Sequence, residues 1–284
     1  WSDDHSKLLL YTNSVRVWRV KSRGDYSVLD LETGELTTLG GPDAKPSTMQ
    51  FAKFSPDSSK VAYVREADIF VEDLTNGNID QLTRRENESI INGIMCWAYE
   101  EEFSIRDGFR WSPDSSRIAY WQFDTSGVRV FMIINNTDTL YPTITSIPYP
   151  KVGETVSAAR VGVVSLRTRN TAWAFLPGDP RNNYSPRMQW AESSDELLLQ
   201  HINRKQDTNN VYLVDATSGE SRKIFTDQEQ HYLDDFHVVE WLDDGKAFTF
   251  VSERSGWRHV HKVSRDGQSV TDLTPGDYDI AALI

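Results

Sequence analysis

One eleven-residue pattern recurs along the chain and restricts the architectures open to it. Phe54–Val64 reads FSPDSSKVAYV and Trp111–Trp121 reads WSPDSSRIAYW. Looser copies start at Trp1 (WSDDHSKLLLY), Trp190 (WAESSDELLLQ) and Trp241 (WLDDGKAFTFV). Each copy opens on an aromatic residue, passes through an Asp/Ser/Gly turn and enters an apolar run. The turn residues suit left-handed and Asx geometry and the run alternates, so each copy predicts a tight turn feeding a β-strand. A second unit follows most copies: YSVLDLETGELTTL from Tyr26, DIFVEDLTNGNIDQLT from Asp68, VYLVDATSGESRKIFT from Val211 and HVHKVSRDGQSVTDLT from His259. It reads strand, turn around a glycine, strand.

Together the two units give about four short antiparallel strands per repeat, the composition of a propeller blade. The opening aromatics are spaced by 53, 57, 79 and 51 residues. No long helical periodicity interrupts them. The expected fold is all-β: a β-propeller of four-stranded antiparallel blades spanning residues 1–284. A propeller closes by pairing its last blade with its first, and no closing strand is evident at Ile284. The chain is therefore expected to hold about five to six blades of a larger ring. The surplus in the 79-residue spacing includes alternating Val128, Val130, Met132 and Ile134, followed by Asn135 and Asn136. Residues at about 124–155 read as an extended arm suited to partner contact, or as a long inter-strand loop.

Composition removes several classes. The net charge of -12 disfavours a nucleic-acid partner. No run approaches the ~18 apolar residues a membrane helix needs. The chain begins at Trp1, without a signal peptide, and reads as an excised or mature piece. Cys96 is the one cysteine, so no internal disulfide forms, and it is expected to be a small buried apolar residue.

The segment Trp97–Phe103 reads WAYEEEF. It falls on a connection between blades. A run of like charges is ordinarily a solvated face. Here Glu100, Glu101 and Glu102 are hemmed by Trp97, Tyr99, Phe103 and Phe109, and shielded adjacent carboxylates call for a neutralising cation. Paired carboxylates can each accept an N–H from an ammonium group. A Ca²⁺ or Mg²⁺ site would need further oxygen ligands at loop spacing, and none surrounds Glu101. The histidines lack zinc spacing; His259 and His261 alternate on one strand face and read as structural. No metal or cofactor is expected. Taken alone, Arg19 reads as a surface charge.

Four segments, in this order, resemble the propeller domain of the dipeptidyl peptidase IV family, within the prolyl oligopeptidase group of serine peptidases. They are INGIMCWAYEEEF (Ile91–Phe103), WSPDSSRIAYWQFD (Trp111–Asp124), YPTITSIPYPKVG (Tyr141–Gly153) and SGWRHVHKV (Ser255–Val263). The likeness runs from Val17 to about Ile280, with the bacterial branch the closer match. The resemblance implies that Glu101 and Glu102 hold the substrate amino terminus, with Glu100 and Tyr99 in support. It assigns to Arg19, in the Trp18-Arg19 pair of VWRVKSRGDYSVLDL, a grip on a substrate carbonyl. The implied parent releases N-terminal X-Pro or X-Ala dipeptides and dimerises through the arm. Its implied location is periplasmic, secreted or at the cell surface. A further contact near Asp234–Val239 is not transferred to any residue.

No Gly-x-Ser-x-Gly elbow occurs in the chain. The triad is therefore expected in a C-terminal α/β-hydrolase domain outside these residues, leaving this piece inactive alone. A non-catalytic binding or scaffold propeller, or an inactive homologue, is the alternative.

Overall fold

Four of the five aromatic residues that open a repeat end or begin a strand and face a partner seven positions on. Phe54 pairs with Val61, Trp111 with Ile118, Trp190 with Leu197 and Trp241 with Phe248. Each intervening segment is a hairpin turn. The computed structural model describes residues 1–234 and 236–283. Contact density divides them into two compact units. The first comprises Trp1–Met95, Arg106–Ser126 and Val163–Thr171; the second comprises Cys96–Ile105, Gly127–Gly162 and Ala172–Ile284.

The first unit opens with a long hairpin, β1 (Lys7–Val17) and β2 (Val20–Asp30), extended by β3 (Leu36–Thr38). It continues as a meander of β4 (Met49–Phe54), β5 (Lys60–Arg65), β6 (Asp68–Asp73) and β7 (Ile79–Gln81). Next come β8 (Ile90–Asn92), helix α1 (Trp97–Glu102), β9 (Phe109–Trp111) and β10 (Arg117–Asp124); β8 and β9 both pair with β10. Tyr26, Val28, Leu39, Met49, Val61 and Tyr63 form its buried cluster.

The repeated turn is one hydrogen-bonded device, shared by three of the repeat openings. Ser55 N–H donates to the Lys60 carbonyl at 2.9 Å, its hydroxyl donates to Asp57 Oδ1 at 2.6 Å, and Lys60 N–H donates to Ser55 Oγ at 3.0 Å. Ser112, Asp114 and Arg117 repeat the pattern, as do Ser2, Asp4 and Lys7. His5, Ser58 and Ser115 take the left-handed position, with φ of 58°, 59° and 61°. Adjacent turns are also tied together: Asp4 N–H donates to Ser58 Oγ, and Asp57 N–H to Ser115 Oγ.

The second unit contains the two-stranded hairpin β11 (Val130–Asn135) and β12 (Thr143–Pro148). The strands β13 (Ala158–Ser165) and β14 (Thr171–Trp173) carry the chain across the boundary between units. Two four-stranded antiparallel meanders follow in chain order. One is β15 (Asn183–Trp190), β16 (Glu196–Asn203), β17 (Thr208–Asp215) and β18 (Ser221–Gln228). The other is β19 (Trp241–Leu242), β20 (Ala247–Ser252), β21 (His259–Ser264) and β22 (Val270–Asp272). Leu198, Val211, Phe225, Phe248, Phe250 and Val263 form one cluster between these sheets. His259 and His261 are buried on β21, where His261 Nδ1 lies 2.5 Å from Asp272 Oδ1.

Candidate functional site

The segment carrying the three glutamates leaves and rejoins the first unit through a narrow neck. Gly108 N–H donates to the Gly93 carbonyl, Gly93 N–H to Trp121 O and Trp121 N–H to Gly108 O, each at 3.0 Å. A Cβ on Gly108 would lie 2.5 Å from the Gly93 carbonyl carbon, so only glycine permits this approach. Ile94 and Asp107 close the neck as an antiparallel bridge. Asp107 pairs with Lys53 at 2.9 Å and with Arg110, and Lys53 Nζ lies 3.9 Å from the Phe109 ring centre. Burial pushes the Lys53 ammonium down to about 8, opposed by Asp107.

Between these points Trp97–Glu102 forms α1, the one helix among the described residues. Cys96 starts it from an extended backbone, without a side-chain cap, and Phe103 N–H closes it on the Tyr99 carbonyl. Successive helical residues point ~100° apart, which explains how three adjacent acids coexist. Glu100 turns inward and is 8% exposed, Glu101 is half-buried and Glu102 is exposed.

Tyr99 anchors the helix within the second unit. It is buried, and its phenol oxygen accepts the Ser185 N–H at 2.8 Å. Burial holds its pKa well above the ordinary value, keeping the phenol neutral. Phe103 packs on Tyr99, Tyr184 and Phe236 with ring centres 5.3, 5.4 and 5.9 Å away, and its carbonyl accepts from Arg187 at 3.2 Å. Trp97 lies 3.9 Å from the ring of Tyr149, the residue after β12. Burial raises the Cys96 thiol, which is set in the interior beside Ser157.

Glu101 and Glu102 thus occupy the C-terminal turn of α1, a turn that contains no basic residue of its own. The unsatisfied carbonyls at a helix C-terminus add partial negative charge there. Carboxylates and a helix end of the same sign can together receive the N–H groups of a cation. The Tyr184 phenol, pushed up chiefly by burial, is raised further by Glu102 and opposed by Arg204.

Glu100, Glu101, Glu102 and Tyr99 therefore share one element. Arg19 belongs to the first unit, on the two-residue turn Trp18–Arg19 that joins β1 to β2. It is exposed, and Trp18 beside it adopts φ of 52°. Phe103, visible in the acid motif, holds the helix together with Ser185 and Phe236, which sequence reasoning did not single out. Asp235, within the segment Asp234–Val239, lies outside the described residues.

Antiparallel sheets in series, with paired carboxylates on a short helix between strands, define a β-propeller region. The chain belongs to the dipeptidyl peptidase IV (DPP IV) N-terminal region family, whose model matches residues 2–284. Probable dipeptidyl peptidase 4 of Trichophyton verrucosum (strain HKI 0517) is 29% identical over 293 residues, covering 99% of this chain and 38% of that protein. Probable dipeptidyl peptidase 4 of Emericella nidulans is 27% identical over 302 residues, covering 100% of this chain and 38% of the relative. The crystal structure of Porphyromonas gingivalis dipeptidyl peptidase 4 superposes with a TM-score of 0.91 at 28% identity, covering 99% of this chain and 40% of that one. Relatives are thus fungal and bacterial at similar identity. The chain spans about two fifths of the length of these relatives.

Proposed function

We propose that this chain is the substrate-anchoring propeller region of a serine dipeptidyl peptidase that releases X-Pro and X-Ala dipeptides. The observation that carries the reading is the placement of Glu101 and Glu102 side by side at the C-terminal end of α1. An ammonium there donates charge-assisted hydrogen bonds to both carboxylates, and such bonds are roughly twice as strong as neutral ones. With the amino terminus fixed, the pair acts as a ruler that leaves room for two residues before the scissile bond. Glu100 and Tyr99 hold the ruler in place, and Arg19 orients a substrate carbonyl. The serine, histidine and aspartate of the acyl-transfer step belong to a C-terminal α/β-hydrolase domain of the same parent. In this reading the chain alone binds amino termini without cleaving them. The parent works outside the cytoplasm, in the periplasm or at the cell surface, and dimerises through the β11–β12 hairpin.

The competing reading is a non-catalytic propeller or inactive homologue, since fold does not fix function. N-terminal acetylation separates the two. The full-length gene product is incubated with glycyl-prolyl peptides and their N-acetyl counterparts. Cleavage of the former and at least ~10²-fold slower cleavage of the latter is expected, because acetylation removes the charge the carboxylates bind. No cleavage of either, or equal cleavage of both, overturns the reading.

A further inference from the structure

The turn that carries Arg19 stands at the tip of a hairpin whose alternation breaks down. Along β1 and β2 the pairing is regular from Lys7↔Asp30 to Thr12↔Asp25, and then shifts twice, between Thr12 and Val15 and between Val15 and Arg16. Bulges of this kind increase local twist and aim the residues beyond them. A bulged strand also turns backbone carbonyls out of the ladder, and these need donors. Here the donor is a side chain. The Tyr11 hydroxyl lies 3.0 Å from the Lys21 carbonyl and 2.8 Å from the Arg23 carbonyl, so its single proton bridges or alternates between them.

Tyr11 reaches that position because residue 24 has no side chain. A Cβ on Gly24 would lie 2.4 Å from Tyr11 Cε2 and 2.6 Å from the Thr12 carbonyl oxygen. The Tyr11 ring is supported from below by Tyr26, with ring centres 4.8 Å apart. On the same strand as Tyr11, Asn13 Nδ2 donates to Asp25 Oδ2 at 2.8 Å, and Ser47 ties both strands by donating to Asp25 Oδ1 and to the Asn13 carbonyl. The Tyr11 contact lies closer to the tip, on the two residues that flank Ser22.

The need for a brace is electrostatic as well as geometric. Arg16 and Lys21 stand directly opposite across the hairpin, with Arg19 between them on the turn. Like charges opposite one another destabilise a strand pair. Without a tether on the β2 side, the tip would splay and Arg19 would lose its aim.

We infer that Tyr11 is a positioning residue for Arg19: its hydroxyl fixes the bulged end of β2 and so the direction of the turn. This rests on the reading of Arg19 as the group that orients substrate. Tyr11 acts through the backbone and touches no substrate.

The test is a double-mutant cycle in the full-length enzyme, read as kcat/KM on glycyl-prolyl para-nitroanilide. Tyr11→Phe keeps the ring and removes the hydroxyl. It is expected to lower kcat/KM by about three- to tenfold, the value of one hydrogen bond, with no change in melting temperature. In an Arg19→Ala background the same substitution should have little further effect. Gly24→Ala, which displaces the Tyr11 ring, should show the same dependence on Arg19. Equal fractional losses in both backgrounds, or no loss from Tyr11→Phe in the presence of Arg19, overturn the inference while leaving Arg19 in its role. An Arg19→Ala enzyme as active as the wild type overturns the anchoring role of Arg19, and the brace with it.

Discussion

The hydroxyl of Ser115 accepts the backbone N–H of Asp57 at 3.0 Å, a bond between the tight turns of two successive repeats. Ser58 accepts from Asp4 in the same way at 3.3 Å. Each serine occupies a left-handed position inside its own turn, so one residue both shapes a hairpin and fastens it to the preceding one. Ser115→Ala is expected to lower stability by about 1 kcal/mol, the usual net worth of a part-buried hydrogen bond. Urea unfolding midpoints measure this directly; an unchanged midpoint would show that the ties between turns carry no stability.

The neck below the helix should respond to acid. Burial tends to raise the Asp107 carboxyl, but the Lys53 ammonium and Arg110 guanidinium outweigh it and hold the group below the usual range. A carboxylate lowered on folding stabilises the native state above its unfolded pKa, and this is lost as pH falls through the folded pKa. Asp107→Asn should therefore be less stable at neutral pH, by about 1–2 kcal/mol given that a third of the side chain faces solvent. The gap between variant and wild type should narrow as pH falls below ~4. A gap that stays constant with pH would contradict the assignment.

Tyr99→Phe would leave the Ser185 N–H in the interior without its acceptor. An unsatisfied buried donor costs about 1–3 kcal/mol. We expect a lower melting temperature together with weaker substrate binding, because the same contact holds the helix bearing Glu101 and Glu102. A fall in stability with unchanged KM would separate Tyr99 from the anchoring site.

The β11–β12 hairpin exposes Val130, Phe131, Met132, Ile133, Ile134 and Ile144 together. Exposed apolar side chains on a projecting hairpin are what the proposed dimer contact would cover. Met132→Glu with Ile134→Lys should convert a dimeric parent to monomers by light scattering. A dimer that persists would place the interface elsewhere.

What could be read from the sequence was local. Ser55, Asp57, Ser58 and Lys60 build their turn from neighbours within five residues, so the pattern repeats visibly and the blade meanders follow from it. The acid motif was visible for the same reason. Its helix was not: six residues are too few to show a 3.6-residue period, and its order comes from contacts such as Tyr99 with Ser185, 86 positions away. The fan of Glu100, Glu101 and Glu102 into buried, half-buried and exposed settings depends on that helix. The Tyr11 brace was hidden because bulges interrupt alternation; Gly24 inside a strand was the one signal present, since such a glycine often marks a bulge or a close approach.

The ammonium ruler is tested most directly by kcat/KM of the full-length Glu102→Ala and Glu101→Ala enzymes on a glycyl-prolyl anilide, beside their melting temperatures. The expected result is a loss of at least ~10²-fold for each, with the fold intact, because amino-terminal positioning is removed while the exposed or half-buried helix positions tolerate alanine. Turnover equal to the wild type in both variants would contradict the role assigned to these carboxylates.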